Sequence, residues 1–185
     1  MSDEQKWNAR YRQSGELPAP ANVLLENAHL LPESGRSLDL ACGLGANARY
    51  LSGLGLESHA WDLSAIAIDR IRNETPGVLV QARDVTAQPP EPSTFDVIVV
   101  AHFLDRDLCA AISAALQPGG LLFYQTFSRE AVNAIGPGNP AFRLAPNELL
   151  RLFGDLRLVV YREEGRIGNL SKGYRDLVHY VGMKL

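Results

Sequence analysis

The stretch SLDLACGLGA, Ser37 to Ala46, is a short apolar block that carries one aspartate and ends in two closely spaced glycines. An apolar strand running into glycines makes a tight turn and lets a ligand approach the backbone, the geometry of a nucleotide-like cofactor site. Gly43 to Ala48 also satisfies the G-x-G-x-x-G/A pattern, with a helical block following. The glycines alone leave two ligands open: the pyrophosphate of NAD and the sulfonium nucleoside S-adenosylmethionine. Asp39 bears on that choice, because a carboxylate beside the loop repels a pyrophosphate and suits a cationic amino group and sulfonium. Asp62 in HAWDLS and Asp84 in QARDVT are two further acids at the ends of apolar blocks. The first is expected to meet ribose hydroxyls and the second the exocyclic amino group of adenine, so the three describe one crevice outside the carboxyl ends of the strands.

Outward from this stretch, short β-branched blocks alternate with longer blocks of helical period, the pattern of a sheet built by β-α-β crossovers. Strands are expected at Ser37 to Leu40, Glu57 to Trp61, Val78 to Ala82, Asp96 to Ala101, Leu121 to Thr126, Leu156 to Tyr161 and Asp176 to Met183. The first five should be parallel. Helices fit at Ala46 to Leu54, Ser64 to Asn73, Asp105 to Leu116 and Pro146 to Phe153. Only the loop EEGRIGNLSKG separates the last two strands, which requires an antiparallel hairpin. Ahead of the first strand, Glu4 to Gln13 and Ala21 to Leu31 read as helices that cover one end of the sheet. IGPGNPAF, Ile135 to Phe142, has the chemistry of an irregular substrate-side loop.

With 185 residues, nearly half of them hydrophobic, the chain suits a single domain, residues 1–185, of which 1–34 form the cover. A net charge of −3 gives no basic excess for nucleic acid. The polar N-terminus and the lack of a spanning apolar run predict a soluble, cytoplasmic protein without membrane contact. Cys42 and Cys109 form no paired motif and the four histidines show no ligand spacing, so no metal is expected. Cys42, between strand and glycine with no neighbouring histidine, reads as packing.

DLACGLGANARYL, AWDLSAIAI, RDV, FDVIVVAHFL and LQPGGLLFYQTF, in that order, resemble the class I S-adenosylmethionine-dependent methyltransferases. Trp7, Tyr11, NELLRLF and VVYREEG bring the resemblance nearest to the tellurite-resistance branch. It implies a Rossmann-like α/β fold: a seven-stranded, mostly parallel sheet with an antiparallel last strand and helices on both faces. It also implies S-adenosyl-L-methionine held by Asp39, Ala41, Gly43, Gly45 and Asn47 on the methionine side, Asp62 on the ribose, Leu63, Asp84 and Val85 around adenine, and Ala101 beneath the methionine. Ala46 stands where that branch carries arginine, and Arg166 lacks an adjacent histidine. The acceptor is therefore left open among soft anions, thiols and small hydroxyl or carboxyl compounds.

Methyl transfer from a sulfonium is an in-line displacement, so the protein mainly aligns the partners and excludes water. A hydroxyl acceptor benefits from a general base, and His102, just past the fourth strand, is the best-placed histidine. Arg106 is the expected anchor of an anionic substrate. Tyr11, Tyr124 and Arg10 are candidates for a lid or pocket wall, Phe103 for a face toward the sulfonium, and His179 reads as packing. An NAD-dependent oxidoreductase and a non-catalytic cofactor-binding domain are the alternatives.

Overall fold

The computed structural model describes residues 2–133 and 135–185. Seven strands form one sheet in the order β3-β2-β1-β4-β5-β7-β6: β1 (Arg36–Leu40), β2 (Glu57–Asp62), β3 (Leu79–Ala82), β4 (Phe95–Ala101), β5 (Leu116–Phe127), β6 (Arg157–Glu163) and β7 (Leu177–Met183). The first five run parallel, and β7 is antiparallel to both of its neighbours. Strand order reverses between β1 and β4. In an open α/β sheet that switch point opens a crevice at the carboxyl ends.

FDVIVVA makes β4 the central strand because every second residue meets a different core and both cores are apolar. Ile98 and Val100 join the core under α5 (Cys109–Ala115) and α6 (Glu148–Leu152), whereas Val97 and Val99 join the core of the opposite face with Val23, Leu24 and Leu51. On that second face lie α2 (Asn22–Glu26), α3 (Ala46–Gly53) and α4 (Ala65–Glu74). Ser64 starts α4 as anticipated, its hydroxyl accepting the Ala67 N–H at 3.2 Å.

α1 (Asp3–Gln13) is built on a capping box between Ser2 and Gln5 and buries none of its residues. It is held instead at a few polar points. The Ser64 hydroxyl donates to Asn8 Oδ1 at 2.6 Å, and Arg70 donates to the Ser14 carbonyl at 2.7 Å.

Several boundaries move for local reasons. The expected helix Ala21 to Leu31 is only α2 followed by a 3-10 turn at Ala28–Leu30, because the Asn27 side chain donates back to the Val23 carbonyl at 2.9 Å. Asp105 caps a turn through the Asp107 and Leu108 N–H groups, so α5 begins only at Cys109. Pro118 to Gly120 precede the expected start of the fifth strand at Leu121, yet the strand already begins at Leu116. They lie inside β5, where pairing with β4 jumps from Phe95↔Leu116 to Val97↔Leu121, a bulge that Gly119 permits at φ +81°.

Candidate active site

The loop after β1 turns through three residues of positive φ, Ala41, Gly43 and Gly45, before α3 begins. A side chain at Gly45 would meet Ile71 Cδ1 at 2.8 Å, and one at Gly43 would meet the Tyr11 hydroxyl at 2.9 Å. Tyr11, stacked on Trp7, therefore roofs the glycine loop from α1. Desolvation of the half-buried ring and the facing Asp62 carboxylate push its phenol well above the usual tyrosine range. Two buried acids fasten the loop from below.

Asp39 lies within β1, 1% exposed, and takes the Asn47 amide at 3.1 Å and the Ala48 N–H at 3.0 Å. Burial raises it to about 7 against these hydrogen bonds. Asn47, also buried, accepts the Ala21 N–H on its Oδ1 at 2.8 Å. Both side chains were expected on the cofactor, and the structure turns both inward. They shape the loop and dock the segment before α2 onto α3, because a strand-interior carboxylate must find its donors inside the protein.

Asp62 ends β2 and bridges the loop to the next helix, accepting Gly43 N–H at 2.7 Å through Oδ2 and Ser64 N–H at 2.8 Å through Oδ1. Each oxygen retains a second acceptor direction. Leu63 follows, half-buried, and Val85 is buried in the core beside Trp61. Asp84 is exposed at the end of the neighbouring strand, with Oδ1 capping a turn on Thr86 and Ala87. Hydrogen bonds from Thr86 hold its carboxyl below the usual range, so it stays ionised. Asp62 and Asp84 thus stand on adjacent strand ends beside the glycine loop. That donor-seeking pair fits ribose hydroxyls and an exocyclic amine.

Across the crevice, Ala101 closes β4 and His102 turns away at φ +58°. One ring face packs on Phe127 with centroids 5.1 Å apart, and desolvation lowers its pKa. Its Nε2 is 3.3 Å from Gln125 Nε2 on β5. The Gln125 oxygen accepts the Val23 N–H at 3.0 Å. Gln125 was missed from sequence, although a glutamine in the apolar run LLFYQTF was the available signal.

Arg106 does not stand free for a substrate. It forms a fork on Glu148, with Nε–Oε1 at 2.7 Å and Nη2–Oε2 at 3.1 Å, and donates to the Ala141 and Arg143 carbonyls. The expected anchor is a strut between the start of α5, the loop after β5 and α6. Tyr124 is fully buried, its hydroxyl on the Phe103 carbonyl at 3.0 Å, and Phe103 itself packs against the core under α5. No group of three or more His, Cys, Asp or Glu among the described residues could hold a metal ion.

Residues 38–120, which contain the loop and all three acids, match a family described as a methyltransferase domain. That stretch is similar to a methyltransferase domain. Among curated relatives, the ubiquinone biosynthesis O-methyltransferase of Burkholderia orbicola is 29% identical over 133 residues, which are 66% of this chain and 56% of that protein. The chain spans little more than half the length of such relatives. Of solved structures, TehB from Haemophilus influenzae superposes with a TM-score of 0.72 at 21% identity, covering 98% of this chain and 67% of that one. The TehB-like SAM-dependent methyltransferase from Corynebacterium glutamicum gives 0.68 at 20% identity, covering 98% and 95%. The methyltransferase fold extends in these neighbours over nearly the whole chain, including β6 and β7 beyond the matched domain. Gly43, Asp62 and Asp84 lie together at the carboxyl ends of β1, β2 and β3. No helix among the described residues is long and apolar enough to cross a membrane.

Proposed function

We propose that the protein is an S-adenosylmethionine-dependent methyltransferase acting on an oxygen atom of a small molecule. The observation that carries this reading is the Asp62 bridge from the end of β2 to Gly43, in the loop that leaves β1 at the switch point, with Asp84 past the end of the next strand. Asp62 would hold the ribose, Asp84 and the Val85 backbone the adenine edge, and the Gly43–Gly45 turn the methionine portion, with Leu63 and Ala101 as walls. Bound there, S-adenosylmethionine supplies an electrophilic methyl group. The chain's own work is to orient it, exclude water beneath Tyr11 and present the acceptor near His102. The oxygen acceptor is supported by the curated relatives, which are O-methyltransferases by name. A small acceptor is supported by the absence of an added substrate domain between the described strands.

Calorimetry with S-adenosylmethionine and with NAD tests the cofactor: the first should bind and the second should not. Asp62→Ala removes the carboxylate that meets both the loop and the ribose, and should weaken S-adenosylmethionine by about 10- to 100-fold, the range for charge-assisted hydrogen bonds. NAD binding alone, or unchanged affinity in the variant, refutes the assignment. Turnover across carboxylates, phenols, thiols and oxyanions then identifies the acceptor.

A further inference from the structure

Gln125 is 2% exposed in the middle of the sheet, and its orientation follows from one bond. The Val23 backbone N–H can only donate, so the amide oxygen faces it, and the amide NH2 faces His102 Nε2. An NH2 group also only donates. His102 Nε2 must therefore present its lone pair, which places the ring proton on Nδ1, and a proton added at Nε2 would point into the NH2 group. Val23 is itself fully buried on α2, so the reference donor is fixed by packing. Among the described residues no protein group pairs with His102 Nδ1, and the residue is exposed just past the carboxyl end of β4. The titratable neighbour is His179 on β7, the cross-strand partner of Gln125. Burial lowers His179 to about 4, the two histidines disfavour each other's charge, and Glu26 on α2 is engaged by the Tyr174 hydroxyl at 2.6 Å and lies 3.9 Å from His179 Nδ1.

We propose that Gln125 is a positioning residue that locks His102 in the neutral, Nδ1-protonated form, so that His102 donates a hydrogen bond to the methyl acceptor and takes no proton from it. The inference deepens the methyltransferase reading and rests on it for the acceptor class: an oxygen nucleophile already ionised when it binds, a carboxylate or an acidic phenol. Transfer to such an oxyanion forms a C–O bond from the acceptor's lone pair and breaks the C–S bond, whose electron pair stays on sulfur. No proton needs a destination. His102 is then a hydrogen-bond donor that aligns the oxyanion, in place of the general base expected from its position alone.

The test is nitrogen-15 NMR of the full chain labelled at histidine, with His102 assigned by comparison with His102→Asn. The wild-type ring should be neutral at pH 7 with an unprotonated Nε2. Gln125→Glu keeps an oxygen for the Val23 N–H and replaces the NH2 group with a second acceptor. In that variant the proton should move to Nε2, and the titration midpoint should rise by about one unit or more. With acceptors, wild-type turnover should favour carboxylates and acidic phenols over aliphatic alcohols, and Gln125→Glu should lower kcat/KM about tenfold or more. A wild-type Nε2–H tautomer, an unshifted His102 in a folded Gln125→Glu protein, or turnover confined to alcohols overturns the proposal. The NMR arm needs no methyl transfer, so failure of S-adenosylmethionine to bind refutes the methyltransferase reading without being mistaken for failure of the histidine lock.

Discussion

Asp39 and Asp62 look alike in the sequence, each an acid in or at the end of an apolar block, yet the structure gives them different work. Strand alternation and pairing on both sides put Asp39 inside the protein, opposite Ala60 and Val99, where its donors are Asn47 and Ala48. Asp62 sits one strand outward at the very end of β2 and reaches the crevice. Burial raises Asp39 to about 7, above its unfolded value of about 3.9, so the native state holds a proton that the unfolded chain releases. At this residue stability is greatest below about pH 4, falls as pH rises to about 7, and is level above that. Asp39→Asn cannot titrate. Its stability relative to the wild type should therefore rise over that window, while remaining lower at acid pH because one amide NH2 now faces a donor at about 1–3 kcal/mol. Urea unfolding of both proteins at pH 4.5 and pH 7.5 checks this, and a constant difference would remove Asp39 from the pH dependence.

Elements depend on contacts that composition and period do not announce. Between β5 and β6 the described residues form no regular strand before α6, yet the segment is held by arginines that donate to its carbonyls: Arg143 to Ser128 and Pro137, Arg129 to Pro140, and Arg106 to Ala141 and Arg143. Arg106 was legible as a charge near the site, but its fork on Glu148 spans 42 positions in the chain and is a tertiary fact. Arg106→Ala and Glu148→Ala should each destabilise by about 1–3 kcal/mol, with a double-mutant coupling of about 1 kcal/mol. The Arg106 hydrogen bonds, with the Ala145 N–H, hold the Glu148 carboxyl below the ordinary glutamate range. The coupling is therefore full above about pH 5 and fades as pH falls through that lowered value. Cofactor affinity should be unchanged in Arg106→Ala, since its bonds go to Glu148, Ala141 and Arg143 and to none of the glycine loop, and a calorimetric loss would return Arg106 to the site.

The whole molecule places its last strand where it cannot be spared. β7 lies between β5 and β6, so the final nine residues, 177–185, bridge the parallel sheet to its edge. Deleting them should leave residues 38–120 intact in sequence yet abolish cooperative folding, read as loss of a sharp thermal transition by circular dichroism and loss of solubility. A cooperative transition in the truncated chain would make the hairpin dispensable. The apolar blocks, their turn residues and the glycine pattern were enough to specify a parallel α/β sheet, the antiparallel final strand and a glycine turn after the first strand, because strand period and φ > 0 turns are local properties. Which side chains face the cofactor, which arginine is a strut, and which donor sets the His102 tautomer were decided only by tertiary packing. A hydrogen bond such as Val23 to Gln125 joins residues 102 positions apart, and direction is set by the partner that folding brings to each atom.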